Sequence, residues 1–165
     1  MLKLRVVIDT NVLVRGIFQL YSYFEYKYGS TRYNETSPWD DEWVYARVNG
    51  CIGSYLLPVT SPAIFAEYVD VVNRQNIVDE GINKDVAQLL SFIQNSESVT
   101  PRETLSVCRD PDDNRILECA VTGKVDYIIT ADDDLLCLKE YQGIPILSAI
   151  DIVRILRKDR FGQED

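Results

Sequence analysis

The sequence predicts an α/β fold built on a mostly parallel sheet with helices on both faces. Three observations lead there. Short β-rich runs with few polar residues recur along the chain, each is followed by a helix-start signal, and acidic residues collect where strands give way to helices. A strand solvated on one face alternates apolar and polar residues, whereas a near-continuous apolar run marks a strand covered on both.

The first such run is LRVVI at residues 4–8, after which DTNVLVRG turns toward a helix. The next is SYLLPVT at 54–60. It leads into SPAIFAEYVDVVNR, where Ser61 is placed as N-cap and Pro62 as the first helical residue. The apolar stripe of this helix runs through Ile64, Tyr68, Val71 and Val72; Glu67 borders it and Asp70 projects to the opposite side. A weaker strand is expected near Ser98 and Val99. In RDPDDNRILECAVTG, Asp110 caps a second helix, Pro111 starts it and Gly123 is suited to ending it. At about 100° per residue, the stripe of Ile116, Leu117, Ala120 and Val121 has Asp113 close to its centre line, Asp112 at its margin and Glu118 outside. VDYII at 125–129 is a further strand, and TADDDLLCL carries three aspartates from its carboxyl end into a helix. GIPILS at 143–148 then enters the last helix, AIDIVRILRK at 149–158.

A chain of 165 residues fits one domain, here 1–158 with an aromatic-rich insertion at about 19–50 and a polar tail at 159–165. No apolar run approaches the ~20 residues of a membrane span. The opening MLKLRVV is too short to hold the parts of a signal peptide before the first strand, so a cytoplasmic location is expected. The four cysteines make no C-x-x-C pair and there is no histidine, which removes zinc-finger spacing and every Ser-His or Cys-His relay. Acid–base chemistry must then run on carboxylates, Lys, Tyr, a thiol or a metal-bound water. A net charge of −9 argues against a broad basic face for nucleic acid but allows converging carboxylates to seat divalent cations.

Asp9 and Asp132 each follow the end of a parallel strand, while Glu67 and Asp113 lie on inward margins of helices. All four can meet at the carboxyl edge of one sheet, where open parallel sheets bind ligands. Four ionised carboxylates brought together raise one another's pKa unless a cation compensates them. Mg²⁺ or Mn²⁺, which take oxygen ligands and assist in-line phosphoryl displacement, would resolve the repulsion and supply hydrolysis without histidine. Structural readings stand beside this one. Asp9 also suits an Asx-turn, Asp110 and Asp112 sit where capping and the helix dipole favour carboxylates, and capping explains two of Asp132, Asp133 and Asp134. Glu67 is harder to place structurally, since the nearby sequence offers it no obvious cation.

In order and spacing, VVIDTNVLV, SPAIFAE, DPDDNRILECA and YIITADDDLL resemble the PIN domain family of metal-dependent ribonucleases, and most closely its bacterial and archaeal subgroup of toxins from toxin–antitoxin pairs. The matching segments span most of residues 4–150. The resemblance implies a three-layer α/β/α sandwich, an acidic cluster of Asp9, Glu67, Asp113 and Asp132 binding Mg²⁺ or Mn²⁺, and cleavage of RNA. It further implies that Asn11 orients the first aspartate, that Thr130 lines the pocket, and that Asp134 is an outer or fifth acidic ligand. Homodimerisation and inhibition by a small antitoxin protein are implied as well. The chain departs from the family between Phe18 and Leu57, a region that is longer here and carries ten aromatics from Phe18 to Tyr45. These residues suit an extended helix and its packing, a partner or dimer surface, or base stacking; Glu25, Glu35, Asp40, Asp41 and Glu42 among them argue against a phosphate track. Arg15, about one helical turn beyond the DTN motif, is a candidate substrate contact.

Two functions from different classes are therefore expected to compete. The first is a Mg²⁺- or Mn²⁺-dependent endoribonuclease, the toxin of a toxin–antitoxin pair. The second is a non-catalytic PIN-like module that binds RNA or protein through the aromatic insertion, and a complete acidic set disfavours it. A metal-dependent phosphatase ranks third, because DTN supplies one carboxylate where the aspartyl-phosphate families begin D-x-D.

Overall fold

The computed structural model describes residues 2–16, 41–74 and 93–161. The aromatic residues from Phe18 to Trp39, and the end of the polar tail at 162–165, lie outside the described residues.

Strand β1 (Leu4–Ile8) is the centre of the sheet because it is paired on both sides, with β2 (Leu56–Thr60) and with β4 (Tyr127–Ile129). Strands β3 (Glu97–Ser98), β5 (Glu140–Tyr141) and β6 (Ile144–Leu147) complete the order β3-β2-β1-β4-β6-β5. Every pairing is parallel except that of β5 with β6. Val6, Val7 and Ile8 are buried, as the unbroken apolar run requires of a strand covered on both faces.

A helix α1 occupies residues 10–16, followed by α2 (Asp41–Cys51), α3 (Pro62–Arg74), α4 (Pro111–Gly123), the four-residue α5 (Asp133–Leu136) and α6 (Ala149–Phe161). Helix α4 packs on β1, β2, β4 and α3, while α2 packs on α6, which lies against β6. This is the mostly parallel, helix-covered α/β architecture expected. Ile64, Tyr68, Ile116, Leu117 and Ala120, all on the anticipated stripes, are buried in the core. No helix among the described residues is long and apolar enough to cross a membrane.

Several local expectations need correction. Gly123 does not supply the left-handed stop of α4; Lys124 does, at φ 47°, and Gly123 is instead needed for approach to the sheet, where a Cβ would stand 2.6 Å from Val59 Cγ1. The strand anticipated at 125–129 begins at Tyr127, with the Asp126 amide already bonded to the carbonyl of Arg5 on β1. Strand β5 is an element the periodicity does not disclose: Gln142 (φ 49°) and Gly143 (φ 80°) form a two-residue hairpin that folds Glu140 and Tyr141 back along β6.

Within the expected insertion, α2 is a packing helix, with Val48 buried and Val44 and Tyr45 half-buried. It meets α1 closely. Asn49 donates to the carbonyl of Leu13 at 3.1 Å, and a Cβ on Gly16 would fall 2.2 Å from Asn49 Nδ2 and 2.7 Å from the Tyr45 carbonyl oxygen. Gly16→Ala should therefore destabilise the protein by about 1–3 kcal/mol through overpacking, outweighing the ~1 kcal/mol that Ala gains as a helix former. Urea unfolding checks this; an unchanged or raised midpoint would show that α2 stands off from α1.

Candidate metal centre

The site is assembled where strands end. Asp9 follows β1 and Thr130 follows β4, and the register Ile8↔Ile129 makes these two residues neighbours across the sheet. The buried Thr130 hydroxyl donates to Asp9 Oδ2 at 2.7 Å and accepts the Asp132 amide at 3.0 Å. Asp9 Oδ1 accepts the Asn11 amide at 3.4 Å, and the Asp9 carbonyl accepts from Val12 and Leu13. Asp9 thus caps α1, as the Asx-turn reading expects, and its other oxygen is held by Thr130 at the carboxyl edge of the sheet. The contact of Asn11 with the first aspartate is made by its backbone N–H.

Asp113 projects inward from the first turn of α4, as its place near the stripe centre requires, and is 8% exposed. Asp110 caps this helix by accepting the Asp112 amide at 2.9 Å, and exposed Asp112 pairs with Arg115 at 3.0 Å, so both are explained structurally. Asp132 caps α5 through Oδ1, which accepts the Asp134 amide at 2.7 Å. From α3, half-buried Glu67 approaches from beside Tyr68, whose buried hydroxyl donates to the carbonyl of Ile8. That one bond ties the backbone bearing Glu67 to the backbone bearing Asp9.

Asp113, Asp132 and Asp134 each place a carboxylate oxygen within 4.8 Å of the others. Asp9 and Glu67 stand outside this triad; Asp9 lies within its field, whereas the charged groups acting on Glu67 are Asp9, Asp112 and Arg115. Burial pushes the Asp9 carboxyl up, opposed by the Thr130 and Asn11 hydrogen bonds and reinforced by Asp132. Burial likewise raises Glu67, with Asp9 and Asp112 adding to it and the Thr10 hydroxyl and Arg115 easing it. The Thr10 hydroxyl favours the charge on Glu67 by proximity, without hydrogen-bond geometry. Asp113 is pushed to about 6, by burial first and then by Asp132, Asp110, Asp9 and Asp134.

Asp113 Oδ2 is buried and has no hydrogen-bond partner among the described residues. A buried carboxylate oxygen left bare is costly, and the charges that act on Asp113 are carboxylates of the same sign. An oxygen-only donor set around such an atom suits a hard divalent cation such as Mg²⁺ or Mn²⁺, and the residues fit that group. Asp134 belongs to the triad more directly than its expected outer position suggested, and Asp9 and Glu67 less so. Arg15 is exposed, and its guanidinium donates to the Tyr45 hydroxyl at 3.0 Å and lies 5.3 Å from the ring centre. Sequence reading did not single out Arg109, which pairs with Asp134 at 3.3 Å across 25 residues of chain; no local signal marks such a contact.

The sequence matches the family model described as PIN domain over residues 5–134. No curated protein matches the chain.

Because the fold holds Asp113 at about 6 against 3.8 for the free group, protonation favours the metal-free fold. Its stability is greater below that value and falls as pH rises through it. Asp113→Asn removes the uncompensated charge, so in chelator near pH 7.5 the variant should melt above the wild type, by on the order of 1 kcal/mol. Added Mn²⁺ should raise the melting temperature of the wild type and leave the variant's nearly unchanged. Calorimetric melting decides; a variant less stable than the wild type in chelator would mean that Asp113 is compensated without a metal.

Proposed function

This chain belongs to the PIN domain family, and from that premise we propose that it is a divalent-metal-dependent endoribonuclease, the toxin of a toxin–antitoxin pair. The observation that carries the reading is the bare, buried Oδ2 of Asp113 inside a triad of carboxylates at the carboxyl edge of a parallel sheet. A structural role would have paired that oxygen.

Asp113, Asp132 and Asp134 would hold the ion. A divalent cation supplies positive charge to the scissile phosphate and to the oxygens that gain charge during in-line displacement. The remaining work falls to the chain's own side chains. Thr130 fixes one oxygen of Asp9 and the Asn11 amide the other, so this carboxylate is held in one orientation. Glu67 is half-buried with a raised pKa, which brings it nearer the range useful for accepting a proton from an attacking water. Tyr68 sets the spacing of these two carboxylates through the Ile8 carbonyl. The acidic surroundings favour a substrate that arrives with its phosphates neutralised by the ion, consistent with a chain of net charge −9.

The test is cleavage of a pool of single-stranded and structured RNAs in Mg²⁺, in Mn²⁺ and in chelator. Cleavage should require the metal, and Asp9→Asn should lower it by at least about 100-fold while circular dichroism stays that of the wild type. Metal-dependent cleavage persisting at wild-type rates in the folded variant would remove Asp9 from the mechanism, and absence of cleavage by the folded wild type under any metal would remove the ribonuclease reading.

A further inference from the structure

A protein of net charge −9 that cuts a phosphodiester beside its own acidic edge needs a cation there as well as carboxylates. Among the described residues, Arg109 is the basic side chain ion-paired to a member of the triad, its Nη2 lying 3.3 Å from Asp134 Oδ2. Its backbone is held. Asn114 on α4 accepts the amides of Val107 and Cys108 through Oδ1 and donates to the carbonyls of Cys108 and Asp110 through Nδ2, clamping the loop on both sides of residue 109. The side chain is not, being 91% exposed. Arg115 differs, since its partner is Asp112, three residues away on the same helix and outside the triad.

An ion pair exposed at both ends, 91% for Arg109 and 56% for Asp134, contributes little to stability and is readily exchanged. A dication taking an oxygen of Asp134 removes the counter-charge of Arg109 and repels its guanidinium. The freed fork still sits on a fixed loop at the edge of the site, and its planar donors match a phosphate.

We propose that Arg109 is the counter-ion of Asp134 in the metal-free protein and, once displaced by the metal, binds a backbone phosphate of the RNA beside the scissile bond. The proposal rests on the ribonuclease reading above. It gives the site an order of assembly: the metal binds first, and its binding delivers the substrate contact.

Two measurements on the full chain test it, Mn²⁺ titration by calorimetry and steady-state cleavage of a labelled single-stranded oligoribonucleotide in Mn²⁺ at several salt concentrations. Arg109→Ala should bind Mn²⁺ about 2–5-fold more tightly, because a competing cation is gone. Its KM for the RNA should rise about 5–10-fold with kcat little changed, and the log–log salt dependence should lose about 0.7 of its slope. Arg109→Lys, which keeps the charge, should recover most of the KM. A residue that merely supports the loop would weaken metal and RNA binding together. Wild-type Mn²⁺ affinity or wild-type KM in Arg109→Ala overturns the proposal alone; a wild type that binds no Mn²⁺ and cleaves no RNA overturns the ribonuclease reading and the proposal with it.

Discussion

The acidic edge depends on the Thr130 hydroxyl, which donates to Asp9 Oδ2 and accepts the amide of Asp132. A single side chain thereby joins the end of β1 to the start of α5. Its position follows from the parallel register of β1 and β4, in which Ile8 faces Ile129, so the residues just beyond each strand arrive side by side. A slip of one residue would turn Asp9 toward the opposite face and bury the wrong side chains with it. Register is strongly specified here because β1 is paired on both sides and covered on both faces, with Val6, Val7 and Ile8 buried.

Around that junction the chain accepts an electrostatic cost. Asp9 and Asp132 each use one carboxylate oxygen to cap a helix. Asp9 spends its second oxygen on Thr130, and Asp113 makes no such compensation, holding Oδ2 buried and unpaired at the end of a first helical turn whose other acidic residues are satisfied. The rest of α4 is optimised for stability, with Asp110 as cap, Asn114 as loop clamp and Glu118 accepting the amide of Leu105 at 2.8 Å. Local destabilisation confined to one face of an otherwise well-satisfied helix is the pattern of a functional site.

Much of this was legible in the sequence because it rests on local rules. The apolar run of β1, the Ser61–Pro62 and Asp110–Pro111 helix starts and the inward phase of Asp113 all follow from periodicity and capping, and the structure places them accordingly. What was not legible depends on contacts between distant segments. The use of Gly123 is set by Val59 on a neighbouring strand, the Gln142–Gly143 hairpin by pairing with β6, and the partner of Arg109 by a residue on the far side of β4. The division of five acidic residues into a triad of Asp113, Asp132 and Asp134 and a flanking pair of Asp9 and Glu67 belongs to the same class, since side-chain reach rather than strand order decides it.

The most direct measurement is anomalous diffraction from crystals grown with Mn²⁺. A difference peak within about 2.0–2.3 Å of carboxylate oxygens of Asp113 and of Asp132 or Asp134 would place the ion on the bare oxygen around which the edge is organised. Crystals containing Mn²⁺ at other surfaces, with Asp113 Oδ2 instead bonded to protein or ordered water, would contradict it.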